Sequence, residues 1–162
     1  MIYFSKGDLR FFNSVVLSIM INMEDFMKEK IVNTFDDLIQ QINQTAGDIQ
    51  RERGTLFEKL VLAYLKNEPT YQRLYKNVWK LNDVPTEYAI PKKDTGVDLV
   101  AEQFNGDLVA VQAKFYENKV GKAEINSFVA ELGKSYYQRG LIVSTVDDWN
   151  KNALDTIEHN QK

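Results

Sequence analysis

Two short segments carry an acid, an amide and an amine that a sheet could bring together: Asp98, in Gly96-Val97-Asp98-Leu99, and Gln112 with Lys114, in Val109-Ala110-Val111-Gln112-Ala113-Lys114. Residues two apart in a strand share a face, so Gln112 and Lys114 point one way while Val111 and Ala113 point the other. An amide and an ammonium closing an otherwise apolar strand depart from core patterning. Magnesium takes oxygen donors and keeps several waters. The Asp98 carboxylate, the Gln112 side-chain oxygen and the Ala113 backbone carbonyl would form part of such a shell for Mg2+, with Mn2+ able to substitute. Lys114 would then orient an attacking water and stabilise charge on a phosphorane-like transition state. Glu58, projecting from the first turn of a helix, could join through a bridging water or a second cation. The ordinary reading stands beside this one. An aspartate at a strand entrance is often a turn cap, Gln-x-Lys is often a solvated edge, and a helix glutamate is often only surface.

The chemical reading depends on register, which can be counted. If Asn105-Gly106 formed a two-residue turn, Phe104 would face Asp107 and Asp98 would fall opposite Ala113, on the wrong face. If Phe104, Asn105 and Gly106 form a three-residue loop with Gly106 left-handed as a bulge, Gln103 faces Asp107 and Asp98 faces Gln112. The second register gathers the acid, the amide and the lysine, and it is the one expected.

Several elements must position them. Phe26, Ile31, Phe35, Leu38, Ile39 and Ile42 recur near the helical period and predict an amphipathic helix from Glu24 to Gln44, ended by Thr45-Ala46-Gly47. Leu56, Phe57, Leu60, Val61, Tyr64 and Leu65 predict a second helix carrying Glu58. Tyr71, Tyr75 and Trp79 lie four apart and predict a third, with Arg73, Lys76 and Lys80. After Pro85 the pattern predicts a three-strand meander over Thr86–Ile90, Val97–Phe104 and Leu108–Phe115. A helix from Lys122 to about Gln138 follows, with Ile125, Phe128, Val129, Leu132 and Tyr136 inward. Then come a buried strand, Leu141–Thr145, and a last helix capped by Asp147 or Asp148 and carrying Ala153, Leu154 and Ile157.

Composition narrows the chemistry. With 162 residues, 44% apolar, the chain suits one domain. It has no cysteine, which removes disulfides, thiolate zinc and cysteine nucleophiles and fits a reducing cytoplasm. Its one histidine, His159, lies in a polar tail, so histidine-dependent hydrolysis is disfavoured. The net charge is -3 and the pI about 5.3, unlike a free-standing DNA binder. A nuclease delivered to DNA by a longer chain needs no basic saddle of its own. The run Phe11–Ile21 is interrupted by polar residues and falls short of the ~20 that span a bilayer, so no membrane role is expected. Residues 1–22 read as a leader or added upstream sequence, 23–47 as an N-terminal helix, and 48–162 as the catalytic domain. Lys92, Lys93, Lys119 and Lys122 could contact phosphates or simply be solvated.

The ordered segments Gly54-Thr55-Leu56-Phe57-Glu58, Asp94-Thr95-Gly96-Val97-Asp98-Leu99, Gln112-Ala113-Lys114 and Gly140-Leu141-Ile142-Val143-Ser144-Thr145 resemble the PD-(D/E)XK nuclease superfamily. The resemblance is to its Mrr-like branch, in which glutamine commonly replaces the second acid, and it covers roughly residues 50–158. It implies an α/β (α+β) restriction-endonuclease-like fold, a mixed central sheet flanked by helices, here with an N-terminal helical extension. It also implies that Asp98 and Gln112 bind metal, that Lys114 assists the attacking water and that Glu58 is the helix acid of many members. The helical stretch from Met23 onward and the ending after Ile157-Glu158-His159 are similar to the N-terminal nuclease domain of type ISP restriction enzymes. In those single polypeptides, helicase-like translocase and methyltransferase parts follow the nuclease, and two nucleases could pair for double-strand cleavage. The expectation is a Mg2+-dependent endonuclease acting on double-stranded DNA. The rivals are a Holliday-junction-resolvase-like or tRNA-intron nuclease and a non-cleaving DNA-binding module on the same fold.

Overall fold

The computed structural model describes residues 2–4, 35–46, 50–93, 96–116, 121–146, 149–152 and 155. β1 (Ile2–Phe4) is followed by α1 (Phe35–Ala46), α2 (Gln50–Asn67), α3 (Pro69–Leu74) and β2 (Tyr75–Lys80). β3 (Leu99–Gln103), β4 (Leu108–Lys114), α4 (Lys122–Leu132) and β5 (Arg139–Ser144) complete the order. The five strands form one mixed sheet, β1-β5-β4-β3-β2. β1 and β4 run parallel to β5, whereas β2, β3 and β4 form an antiparallel meander. The mixed sheet with flanking helices is the fold class expected. Ile2–Phe4, within the segment read as a leader, supply the edge strand β1.

Strand alternation divides the core in two. Leu99, Ala101, Val109, Val111, Ala113, Leu141 and Val143 turn toward α2, where Phe57, Leu60, Val61, Tyr64 and Leu65 bury against them. Val100, Leu108, Ala110 and Ile142 turn to the opposite face and meet Ile125, Phe128 and Leu132 of α4. β4 and β5 are covered on both faces, and their near-continuous apolar runs follow from that. Along β4, Gln112 and Lys114 therefore belong to the α4 face.

Three expectations are corrected. The Tyr71-Tyr75-Trp79 stripe is not one helix. Glu68 caps α3, accepting from the Thr70 and Tyr71 N–H groups, and the chain turns to strand at Tyr75. A register shift between Tyr75 and Asn77 puts Tyr75 and Val78 on the buried side together, so a bulged strand imitates the helical spacing. The first strand of the meander is β2, not Thr86–Ile90. Thr86–Tyr88 form a single 3-10 turn that ends at Ala89 with φ +53°. The helix expected to reach Gln138 stops at Leu132, where Gly133 forms the cap. The predicted helix residues 24–34 and the capping Asp147 and Asp148 lie outside the described residues, as do Ala153, Leu154 and Ile157.

Candidate active site

The β3–β4 hairpin takes the three-residue-loop register. Leu99 pairs with Val111, Val100 with Ala110, Ala101 with Val109 and Glu102 with Leu108. The Gln103 N–H donates to the Asp107 carbonyl at 2.9 Å, the Gly106 N–H donates to the Gln103 carbonyl at 3.0 Å, and Gly106 has φ +90°. That positive φ is what glycine allows without strain. The regular ladder ends at the Leu99–Val111 pair, and beyond it Asp98 is joined to β4 at Val111 and Ala113 rather than paired with Gln112 as expected.

At this end of the strands the backbone and side chains interlock. The Asp98 N–H donates to the Val111 carbonyl at 2.9 Å, and the Asp98 Oδ2 accepts the Ala113 N–H at 2.7 Å. Alternate carbonyls of a strand point the same way, so the Ala113 carbonyl follows that of Val111 toward the β3 side, beside Asp98. Lys114, half-buried, pairs in register with Ser144, and its carbonyl accepts the Thr145 N–H at 3.2 Å. The Thr145 hydroxyl then accepts from the Tyr116 N–H at 2.8 Å and donates to the Tyr116 carbonyl at 2.7 Å. This clamp holds the exit of β4 and so the position from which the Lys114 ammonium extends.

Gln112 is 0% exposed, although it is polar. Its Nε2 donates to the Gly96 carbonyl at 2.8 Å, and its Oε1 is buried with no hydrogen-bond partner. A buried acceptor left unsatisfied costs about 1–3 kcal/mol, which a ligand at that oxygen would recover. Carboxylate, amide and backbone oxygens are hard donors suited to Mg2+ or Mn2+, so the residues present fit a divalent cation. Among the described residues no three acids, histidines or cysteines gather. A cation held here would rely on a single carboxylate, Asp98, supplemented by amide and backbone oxygens and by its own water.

Of the expected site, Asp98 is bonded to β4 at Val111 and Ala113, on the strand that carries Gln112 and Lys114. Glu58 is half-buried on α2, the helix covering the other face of the sheet. The ring of its neighbour Phe57 meets Phe115 edge-on at 5.9 Å and brings this part of α2 to the same end of β4. Lys93 and Lys122 are exposed, while Lys119 lies outside the described residues. The Lys92 ammonium donates to the Leu81 and Val84 carbonyls at 2.8 and 2.5 Å and thereby closes the loop after β2. Gly96 was missed as more than a turn residue. It has φ +82°, and an added Cβ would lie 2.7 Å from the Ser127 Oγ, 3.0 Å from the Gln112 Nε2 and 3.3 Å from the Phe128 backbone nitrogen. Nothing in the local sequence signals that α4 closes on this loop.

An Mrr-type catalytic-domain model, described as restriction endonuclease, matches residues 66–162, and the chain belongs to that family. The expected nuclease kinship is thereby borne out. A solved structure, the ATP-dependent type ISP restriction-modification enzyme LlaBIII bound to DNA, is similar, with 70% identity over 80% of this chain and a TM-score of 0.68. The chain spans 8% of the length of that enzyme. No curated protein matches the chain. Among the described residues no helix is long and apolar enough to cross a membrane.

Proposed function

We propose that this domain hydrolyses phosphodiester bonds of double-stranded DNA in the cytoplasm, with Mg2+ as cofactor, as the nuclease part of a longer restriction enzyme. The observation that carries the catalytic reading is the buried Gln112 Oε1, an acceptor without a partner on the strand that also presents Lys114. Asp98, Gln112 and the Ala113 carbonyl would hold the cation, with Glu58 a further acid at the same end of β4. Once bound, a divalent cation supplies positive charge at the scissile phosphate and favours ionisation of the attacking water. Lys114 orients that water and offsets the charge that develops on the phosphoryl oxygens. Asp98 has a second task, because its bond to the Ala113 N–H aligns the two strand ends. The 8% coverage of a DNA-bound enzyme supports a reading in which translocase and methyltransferase domains of the parent chain hold the substrate.

Nicking of supercoiled plasmid in Mg2+ tests this directly. Asp98→Ala should lower the rate by at least a hundredfold, with Mn2+ supporting the wild type in place of Mg2+. Equal rates in the two proteins would remove Asp98 from the site, and no nicking by either at high enzyme concentration would favour a non-cleaving module.

A further inference from the structure

We infer that Gly96 determines which kind of side chain can serve at position 112, because its carbonyl holds an amide and excludes a carboxylate. This rests on the reading of Gln112 as a cation ligand and deepens it. The Gly96 carbonyl carries no proton, so only the NH2 half of an amide can lie 2.8 Å from it. That contact fixes the orientation of the Gln112 amide and turns Oε1 to the remaining side, where it is buried without a partner. Glutamate has two acceptor oxygens and no donor when ionised. In the same rotamer one of them would face the Gly96 carbonyl oxygen at hydrogen-bond distance with no hydrogen between them.

The loop leaves no room for a side chain at position 96. Gly96 sits at φ +82° with the Ser127 Oγ, the Gln112 Nε2 and the Phe128 backbone nitrogen all within 3.3 Å of where a Cβ would be. The loop is pressed between β4 and α4, and only glycine fits there. Charge alone predicts that a carboxylate should hold a divalent cation more tightly than an amide does. Gly96 reverses that order, which makes it a positioning residue for the cation site.

Two measurements on the whole chain test the inference. In the wild type without metal, NMR should find the Gln112 side-chain amide protons exchanging with solvent at least a hundredfold more slowly than those of an exposed glutamine. Adding Mg2+ should shift the Gln112 carbonyl carbon while that slow exchange persists. In Mn2+ titrations, Gln112→Glu should bind at least tenfold more weakly than the wild type. Gln112→Met, which keeps the length and apolar stem, should also lose binding while staying folded by circular dichroism. Rapid amide exchange in the wild type, or Mn2+ affinity in Gln112→Glu equal to or above wild type, would overturn the inference. If the wild type shows no Mn2+ binding that Asp98→Ala abolishes, the cation reading itself fails, and the selectivity fails with it.

Discussion

Lys114 differs from the oxygen donors beside it in what its removal leaves behind. It brings a positive charge to a site that the other residues make electronegative, so it should contribute to the reaction more than to holding a cation. Lys114→Ala is expected to reduce plasmid nicking by at least about a hundredfold, the scale on which single stabilising donors act. Mn2+ binding should persist and strengthen slightly as a competing positive charge is removed. Calorimetric titration beside the nicking assay checks both, and retained cleavage would contradict the role assigned to Lys114. The three-residue hairpin loop and the shared face of Gln112 and Lys114 were legible because strand alternation is a local rule and the hairpin count needed only the Asn105-Gly106 turn. The Gly96 carbonyl was not legible. Its importance comes from α4, whose Ser127 and Phe128 reach it across about thirty residues of chain separation.

Among the elements, β2 is where sequence and structure part. Tyr71 and Tyr75 stack at 5.8 Å with an interplanar angle of 11°, a contact that spans the helix-to-strand change and a spacing that reads as helical. What fastens β2 to β3 is a buried carboxylate, Glu102. It accepts from the Asn77 Nδ2 at 2.7 Å and the Lys76 Nζ at 3.4 Å. The hydrogen bond from Asn77 leads in holding the Glu102 carboxyl below its ordinary range, against the opposing effect of burial, with Tyr88 and Lys76 adding to it. A carboxyl depressed in the folded state contributes stability that is full above its unfolded pKa. That stability is lost as pH falls through the lower folded value. Asn77→Ala should therefore destabilise the domain at pH 7 by about 1.5–3 kcal/mol, the usual worth of a hydrogen bond to a charged group. The gap from wild type should narrow below the ordinary glutamate range as Glu102 takes up its proton. Urea midpoints at pH 7 and in the acid range check this, and a pH-independent gap would show that Asn77 acts by packing alone. The helix α2 and strands β3, β4 and β5 were legible because each is long and regular in pattern. The bulge in β2 was not, since a two-for-one pairing depends on the partner strand.

For the molecule as a whole, the balance of charge and the small share of the similar DNA-bound enzyme that the chain spans bear on the same question. With a net charge of -3, the domain has little electrostatic attraction for a phosphate backbone, the term that dominates nonspecific DNA affinity. Lys92, a candidate phosphate contact by sequence, spends its ammonium on two backbone carbonyls instead. The acidic balance was legible from composition, but this diversion of a lysine was not, because it requires the Leu81 and Val84 carbonyls to converge in space. If delivery rather than chemistry limits the isolated domain, tethering should restore it. Fusion through a flexible linker to a sequence-neutral DNA-binding domain is expected to raise nicking at physiological salt by about 10²- to 10⁴-fold, the range that effective concentration supplies without any new contact. The gain should disappear in the Asp98→Ala fusion, which binds DNA equally well. Nicking rates of the fused and unfused proteins across a salt series check the point. Equal rates at physiological salt would mean that the domain grips DNA by itself and that its acidity has another cause.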